Sequence, residues 1–227
     1  MLRIYRQFRN YSRYFTKWIS NKYWTNRYKK LVLSKMPDYN SFSGLGLVLD
    51  IGANKGHFSS AAIALGFNVI AIEPHPEAFK FLHKRFKNKS NIVLKREALS
   101  NYEGEIKLNF HPAHFNDKIT TSISASTIDD KFKIEQSIFS EVKCSKLSNY
   151  FANGEYYNIV KIDIEGEEMN LVNDLIAHHK QINYLFLETH HKFMNKSRYS
   201  NNYIFELNKL SKFIVDYKLT NWHTDWI

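Results

Sequence analysis

Leu47-Val48-Leu49-Asp50-Ile51-Gly52-Ala53-Asn54-Lys55-Gly56 is the stretch on which the fold turns. An apolar run ends in an aspartate, a glycine-bearing turn follows, and Phe58 to Leu65 continues as an alanine-rich helical segment. Strand, tight turn and helix in that order make the first unit of a nucleotide-binding α/β sheet. Asn68 to Ile72 reads as the second strand and ends in Glu73, placed to accept hydrogen bonds from both hydroxyls of a ribose. Gly52 and Gly56 stand four apart, and no G-x-G-x-x-G lies between the two strands.

That glycine spacing selects the class of cofactor. A pyrophosphate needs closely spaced glycines so that backbone can touch it at a helix N-terminus. S-adenosylmethionine carries no phosphate, only an amino acid and an adenosine, and a tight turn with backbone groups and carboxylates suffices for it. Asp50, or the carbonyls beside it, would face the ammonium of the methionyl part, and Glu73 would grip the ribose. The plainer reading makes Asp50 a cap of the turn and Glu73 a surface carboxylate.

The 227 residues, 44% of them hydrophobic and 15% aromatic, suffice for one α/β domain with an appendage. Cys144 is the lone cysteine, which excludes an internal disulfide and fits a reducing compartment. Arginines and tyrosines interrupt the N-terminus where a signal peptide requires an apolar stretch, and no apolar run reaches the length of a membrane span. A cytoplasmic protein is expected, with peripheral contact at the inner face of the membrane as the alternative. The net charge of +10 is concentrated at the start: residues 1–40 hold ten Lys or Arg against one acid, Asp38.

Residues 1–43 therefore read as a basic, amphipathic helical extension and 44–227 as the catalytic domain. At helical spacing Ile4, Phe8, Tyr11, Phe15, Trp18 and Ile19 share one face, opposite Arg3, Arg6, Arg9, Arg13 and Lys17. Three readings stand for this helix. Its apolar stripe docks on the domain; residues 1–35 lie on an anionic membrane surface; or the basic face attracts an acidic substrate or nucleic acid.

Beyond the first unit, Pro74 and Pro76 open a helix with Phe79, Leu82, Arg85 and Phe86 at helical spacing, and Ile92 to Leu94 is a third strand. Glu105 to Phe110 and Val142 to Leu147 alternate as strands, separated by a polar stretch at 111–127 that reads as a loop over substrate or as disorder. Ile159 to Ile164 is a buried strand with charged interruptions at Lys161 and Asp163, costly unless those groups have partners or work to do. Gly166 leads into a helix, Ile182 to Leu187 is the next strand, Tyr203 to Ile214 the last helix, and Asp216 to Ile227 holds a terminal edge strand. The alternation predicts a doubly wound, mainly parallel sheet.

Val48 to Gly56, Ile72-Glu73-Pro74, Lys161-Ile162-Asp163-Ile164-Glu165-Gly166-Glu167-Glu168 and Leu187-Glu188-Thr189-His190 together resemble the FkbM family of S-adenosylmethionine-dependent methyltransferases. The likeness runs from Leu47 to His191, about two thirds of the chain, and its acidic K-I-D-I-E-G-x-E segment is the most specific part. It implies a Rossmann-like methyltransferase fold and methylation of hydroxyl oxygens on sugars, polyketides and related metabolites. By the same likeness Asp50, Gly52, Asn54 and Gly56 match the cofactor loop, Glu73 with Pro74 the ribose site, and Glu97-Ala98-Leu99-Ser100 the segment flanking adenine. Lys161, Asp163, Glu165 and Glu168 match the acidic signature at the active-site edge, with Asp163 near both cofactor and acceptor. The short region after His191 implies a reduced terminal hairpin, and residues 1–43 have no counterpart in the family's motifs.

Methyl transfer is an in-line displacement in which the acceptor hydroxyl loses its proton as the bond forms. Asp163 at the end of the fourth strand of the sheet, or a neutral His190 at the end of the fifth, is the expected base. Lys161 shares one side of its strand with Asp163 and either pairs with an acid or orients the acceptor. Glu165, Glu168 and Glu188 fall on the rim. The plainer reading makes the cluster a structural ion-pair network at a helix entrance. Its oxygens and nitrogens match no dedicated metal motif, so no metal is expected.

A sugar O-methyltransferase acting on a small-molecule or glycan acceptor is the expected function, on a polysaccharide, glycolipid or nucleotide-sugar. Its rivals are an RNA methyltransferase and a non-catalytic, membrane-associated protein that keeps the fold. The basic, aromatic N-terminus favours nucleic acid. Against it stand the acidic rim, which would repel phosphates, and Asp163-Ile164-Glu165-Gly166 where a base-amine methyltransferase carries a proline-aromatic motif.

Overall fold

The computed structural model describes residues 21–41, 46–110, 135–190 and 198–224. Along the chain come α1 (21–35), β1 (Leu47–Ile51), α2 (His57–Ala64), β2 (Asn68–Ile72), α3 (Pro76–Phe86), β3 (Ile92–Lys95) and β4 (Ala98–Ser100). There follow β5 (Gly104–Phe110), β6 (Glu135–Lys146), β7 (Tyr157–Ile162), a 3-10 turn over Glu167–Leu171, α4 (Val172–Ala177), β8 (Ile182–Leu187), α5 (Arg198–Asp216) and β9 (Trp222–Thr224).

Six strands form one sheet in the order β3-β2-β1-β7-β8-β9, and every pairing in it is parallel. The chain winds outward from β1 to β3, then returns to lay β7 beside β1, with Asp50 opposite Lys161. Ligands bind at such a switch point, outside the carboxyl ends of the strands. Because successive side chains point to opposite faces, apolar runs in β1, β7 and β8 feed two cores. Leu49, Ile51, Val160, Ile162, Leu185 and Leu187 pack with Leu175 of α4 and Leu210 of α5. Val48, Ile159, Tyr184 and Phe186 pack with Phe58 and Ala62 of α2 and Leu82 and Phe86 of α3. A sheet covered on both faces requires such largely apolar strands, and the buried charges of Asp50 in β1 and Lys161 in β7 face one another.

α1 belongs to the second core. Val32 and Met36 are buried among those side chains, with Tyr28 and Leu31 packed against them. This part of the basic extension therefore docks, whereas the stripe from Ile4 to Ile19 lies outside the described residues. The polar stretch at 111–127 also lies outside them. No helix among the described residues is long and apolar enough to cross a membrane.

Three features depart from the sequence expectation. β4, β6 and β5 form a separate three-stranded sheet around Ala98, Leu108, Phe110, Val142 and Cys144. β6 begins at Glu135, seven residues before Val142, because it pairs along the whole of β5. β7 stops at Ile162, where the Asp163 amide still donates to the Ile51 carbonyl at 3.1 Å before the chain leaves the sheet. The terminal strand β9 runs parallel to β8, with Trp222 opposite Leu185 and buried in the core.

Candidate active site

A cavity of about 400 Å³ opens at the carboxyl ends of β1, β2 and β7. Its floor is the turn after β1. The amides of Gly52 and Ala53 both donate to the Ile72 carbonyl, at 3.0 and 2.9 Å, and so stitch that turn to the end of β2. Gly52 has φ +76°, and a β-carbon there would stand 1.8 Å from the Asp163 carbonyl oxygen. Only glycine lets the β1 turn and the segment after β7 approach so closely. Gly56, also at positive φ, starts α2 against Phe86 and Leu82 and lies off the cavity wall.

Glu73 stands in the wall at the end of β2, almost wholly buried. Its Oε2 accepts from the Asn54 amide at 2.7 Å and its Oε1 from the His75 amide at 2.8 Å. Burial pushes its pKa up to about 7 even though both amides oppose the shift. Pro74 and Ala98 share the wall with Glu97, Leu99 and Leu108. Glu97 accepts hydrogen bonds from Ser145, Tyr150 and Lys143. Burial works against its charge, but these donors outweigh it and hold the carboxyl below the usual range. The second sheet thus holds a carboxylate in the cavity wall through partners that local sequence does not display.

Asp50 does not reach the wall. It is fully buried beneath the turn, where Ser59 Oγ donates to its Oδ2 and Lys161 Nζ lies 3.5 Å from its Oδ1. The expectation that its side chain faces an amino-acid ammonium is corrected to a support role, because a β1 residue facing Lys161 and α2 points into the protein. The carbonyls of Ile51 and Gly52 beside it accept from Lys161 instead.

Across the cavity, charge gathers at the ends of β7 and β8. Lys161 Nζ donates to the Gly52 carbonyl at 2.8 Å and stands 3.4 Å from Asp163 Oδ2. Burial disfavours this ammonium, yet Asp163 and Asp50 overcome the penalty and raise its pKa. Asp163 and Glu165 are partly exposed on the cavity wall. Behind them His190 Nε2 lies 3.8 Å from Asp163 Oδ1 and 3.5 Å from Glu165 Oε2, while Nδ1 lies 2.7 Å from Glu168 Oε1. Glu168 is fully buried, and also accepts from the Gly166 amide and the Tyr203 hydroxyl. Glu188 is half-buried behind the same group, and burial together with Asp163 raises its pKa.

The neutral imidazole expected of a base is not what this setting favours. Burial alone would lower the His190 pKa, but the hydrogen bond and charge of Glu168, reinforced by Glu165 and Asp163, push it up to about 9. The setting therefore favours a protonated His190 at neutral pH, among the carboxylates of Glu168, Glu165 and Asp163. Asp163, Glu165 and His190 bring potential ligand atoms within 4.8 Å of one another, so a cation could be held there only by displacing the imidazolium proton.

Two wall residues escape a reading of the sequence alone. Trp24 and Tyr28 of α1 close the cavity from the side of α2, four residues apart and hence on one helix face. Tyr28 meets Phe58 edge-on at 5.9 Å, and Trp24 lies 6.4 Å from His57. The i, i+4 aromatic pair is the signal that marks them, but nothing local shows what it faces.

An open parallel sheet with a cavity at its switch point and an acidic cluster beside it gives the chain a Rossmann-like α/β architecture. The methyltransferase FkbM domain matches residues 50–213, most of the chain, and the protein belongs to that family. No curated protein matches it. Among solved structures it is similar to precorrin-6y C5,15-methyltransferase from Geobacter metallireducens GS-15, at 13% identity and a TM-score of 0.42, over 84% of this chain and 70% of that one. The family match begins after α1, so Trp24 and Tyr28 stand outside it.

Proposed function

We propose that this protein transfers a methyl group from S-adenosylmethionine to a hydroxyl oxygen of a sugar, in a polysaccharide, a glycolipid or a nucleotide-sugar. The observation that carries this reading is the placement of Asp163. Its carboxylate stands on the cavity wall between Lys161 and His190, across from the carboxylate of Glu73.

The donor set fits the cofactor. Glu73 suits a ribose diol, and Ile72, Leu99 and Leu108 supply apolar wall for a purine. When bound, S-adenosylmethionine supplies an electrophilic methyl on a sulfonium. The chain's own part is to hold the acceptor in line and take its proton. Asp163 accepts that proton, Lys161 and the imidazolium of His190 fix its orientation, and Glu165 on the wall accepts hydrogen bonds from neighbouring hydroxyls. An acidic rim favours a polyhydroxylated acceptor over a nucleic-acid backbone, whose phosphates it repels.

The test is methyl transfer to a panel of glycans, glycolipids, nucleotide-sugars and RNA, read by mass spectrometry. A methyl ether on a sugar hydroxyl is expected. Asp163→Asn should lower turnover by ~10²–10⁴-fold while S-adenosylhomocysteine still binds by calorimetry. Product on RNA alone would remove the sugar, and undiminished turnover in D163N would remove Asp163 as base.

A further inference from the structure

The two helix layers differ in charge. Over the second core, residues 21–41 and 76–89, which carry α1 and α3, hold ten Lys or Arg against two acids, Asp38 and Glu77. Over the first core, residues 167–181 and 198–218, which carry α4 and α5, hold five of each sign. α1 lies beside α3, where Arg85 donates to Asn21, so the excess gathers on one side of the molecule. Lys80 pairs with Glu77, but Arg27, Lys29, Lys30, Lys84, Lys87 and Lys89 form no ion pair among the described residues. All of these six but Lys29 are exposed. A face of this kind draws in an anionic surface.

α1 also exposes apolar groups among its cations: Tyr23 is 58% exposed, Leu33 37% and Trp24 36%. Val32 and Met36 bury the face that docks, so these groups are left over once the helix has packed. Cations interleaved with tyrosine, tryptophan and leucine suit the boundary between lipid headgroups and acyl chains. Single-stranded nucleic acid would need open ring faces to stack on. Trp24 instead has the Arg27 guanidinium 5.1 Å over its ring and Tyr23 edge-on at 5.4 Å. We infer that the face formed by α1 and α3 docks on an anionic lipid bilayer. Trp24 also lines the cavity, so docking brings the mouth of the site to the headgroups, whatever the acceptor.

The experiment is co-sedimentation of the full chain with vesicles of phosphatidylcholine, alone or with about 30% phosphatidylglycerol, at ~0.1 M salt. Wild type should bind the anionic vesicles and leave the neutral ones. A triple variant, Arg27→Gln with Lys29→Gln and Lys30→Gln, should bind them ~10²-fold more weakly, about fivefold for each cation taken from a lipid surface. A control triple, Lys180→Gln with Lys212→Gln and Lys218→Gln, makes the same change of net charge on the balanced layer and should bind as wild type does. Wild-type binding that is equal on both kinds of vesicle, or absent from both, overturns the inference, as does equal affinity of the two triples. So does an RNA oligonucleotide that wild type holds more tightly than the anionic vesicles and that the first triple releases, which would make nucleic acid the occupant.

Discussion

The ends of β1 and β2 and the ends of β7 and β8 lie along one edge of the same sheet, yet they are held by different means. On the β1–β2 side backbone does the work: the Ile72 carbonyl takes two amides of the turn, and Glu73 takes the amides of Asn54 and His75. On the β7–β8 side charged side chains pack among one another, with Lys161 between Asp50 and Asp163 and His190 among Asp163, Glu165 and Glu168. A ligand of fixed shape is met by backbone geometry. The β7–β8 network is one whose charges balance only as a set, since a buried charge without its partner is costly, and under the proposed function it is the side that takes the acceptor's proton.

The two sides touch at Gly52, which makes it the most severe place to break the comparison. Gly52→Ala would drive a β-carbon into the Asp163 carbonyl, a backbone atom that cannot swing aside, and would strain a residue at φ +76°. A loss of about 4 kcal/mol or more is expected, seen as a large drop in melting temperature and no measurable cofactor binding. Gly56→Ala carries similar strain at φ +74° but meets the side chains of Phe86 and Leu82 rather than backbone, and should cost less. A G52A protein as stable as G56A would show that the two segments do not need to approach so closely.

The next effect separates the sides by function. Glu73→Gln keeps the shape but gives up the charge, and turns one acceptor into a donor facing a backbone amide. Charge-assisted hydrogen bonds are worth about 1.5–3 kcal/mol each, so S-adenosylhomocysteine binding should weaken by ~10–100-fold. Asp163→Asn, on the other side, should leave that binding nearly intact. Equal losses in the two variants would erase the division between a side that binds and a side that reacts.

The same division governs how much of the molecule is legible in its sequence. The strand bounds of β1, β2 and β8 follow directly from apolar runs that end in Asp50-Ile51, Glu73 and Glu188, because a sheet buried on both faces leaves no choice of register. Gly52 announces itself through a turn that only glycine can make. The burial of Asp50 is not legible, since an aspartate at a strand end reads the same whether it faces ligand or Lys161. The charge of His190 is not legible either, as it is set by Glu168, twenty-two residues away, and by Glu165. Tyr28 is hidden for the same reason, and so are the partners of Glu97, because α1 and the second sheet come from distant parts of the chain.

The smallest effect tests whether the β7–β8 network really carries an imidazolium. His190 holds its proton to about pH 9, whereas in the unfolded chain it releases it near 6.5. Between these values the native state binds more protons than the unfolded state, so stability falls as pH rises. The contribution is complete below pH 6.5 and gone above 9, on the order of 3 kcal/mol across the whole window, of which roughly 2 falls above pH 7.5. Glu73 and Glu188 are raised from 4.5 to about 7 and their losses end lower, whereas Cys144, raised from 9.0 to about 11, begins its loss higher, so the slope of melting between pH 7.5 and 8.5 without ligand reports mainly the histidine. Lys161 is raised still higher and stays charged throughout that range. Glu168→Gln removes the strongest support for the imidazolium and should flatten the slope, whatever it does to stability at a single pH. A wild-type slope equal to that of E168Q would mean that His190 is neutral in the native state, and would return it to candidacy as the base.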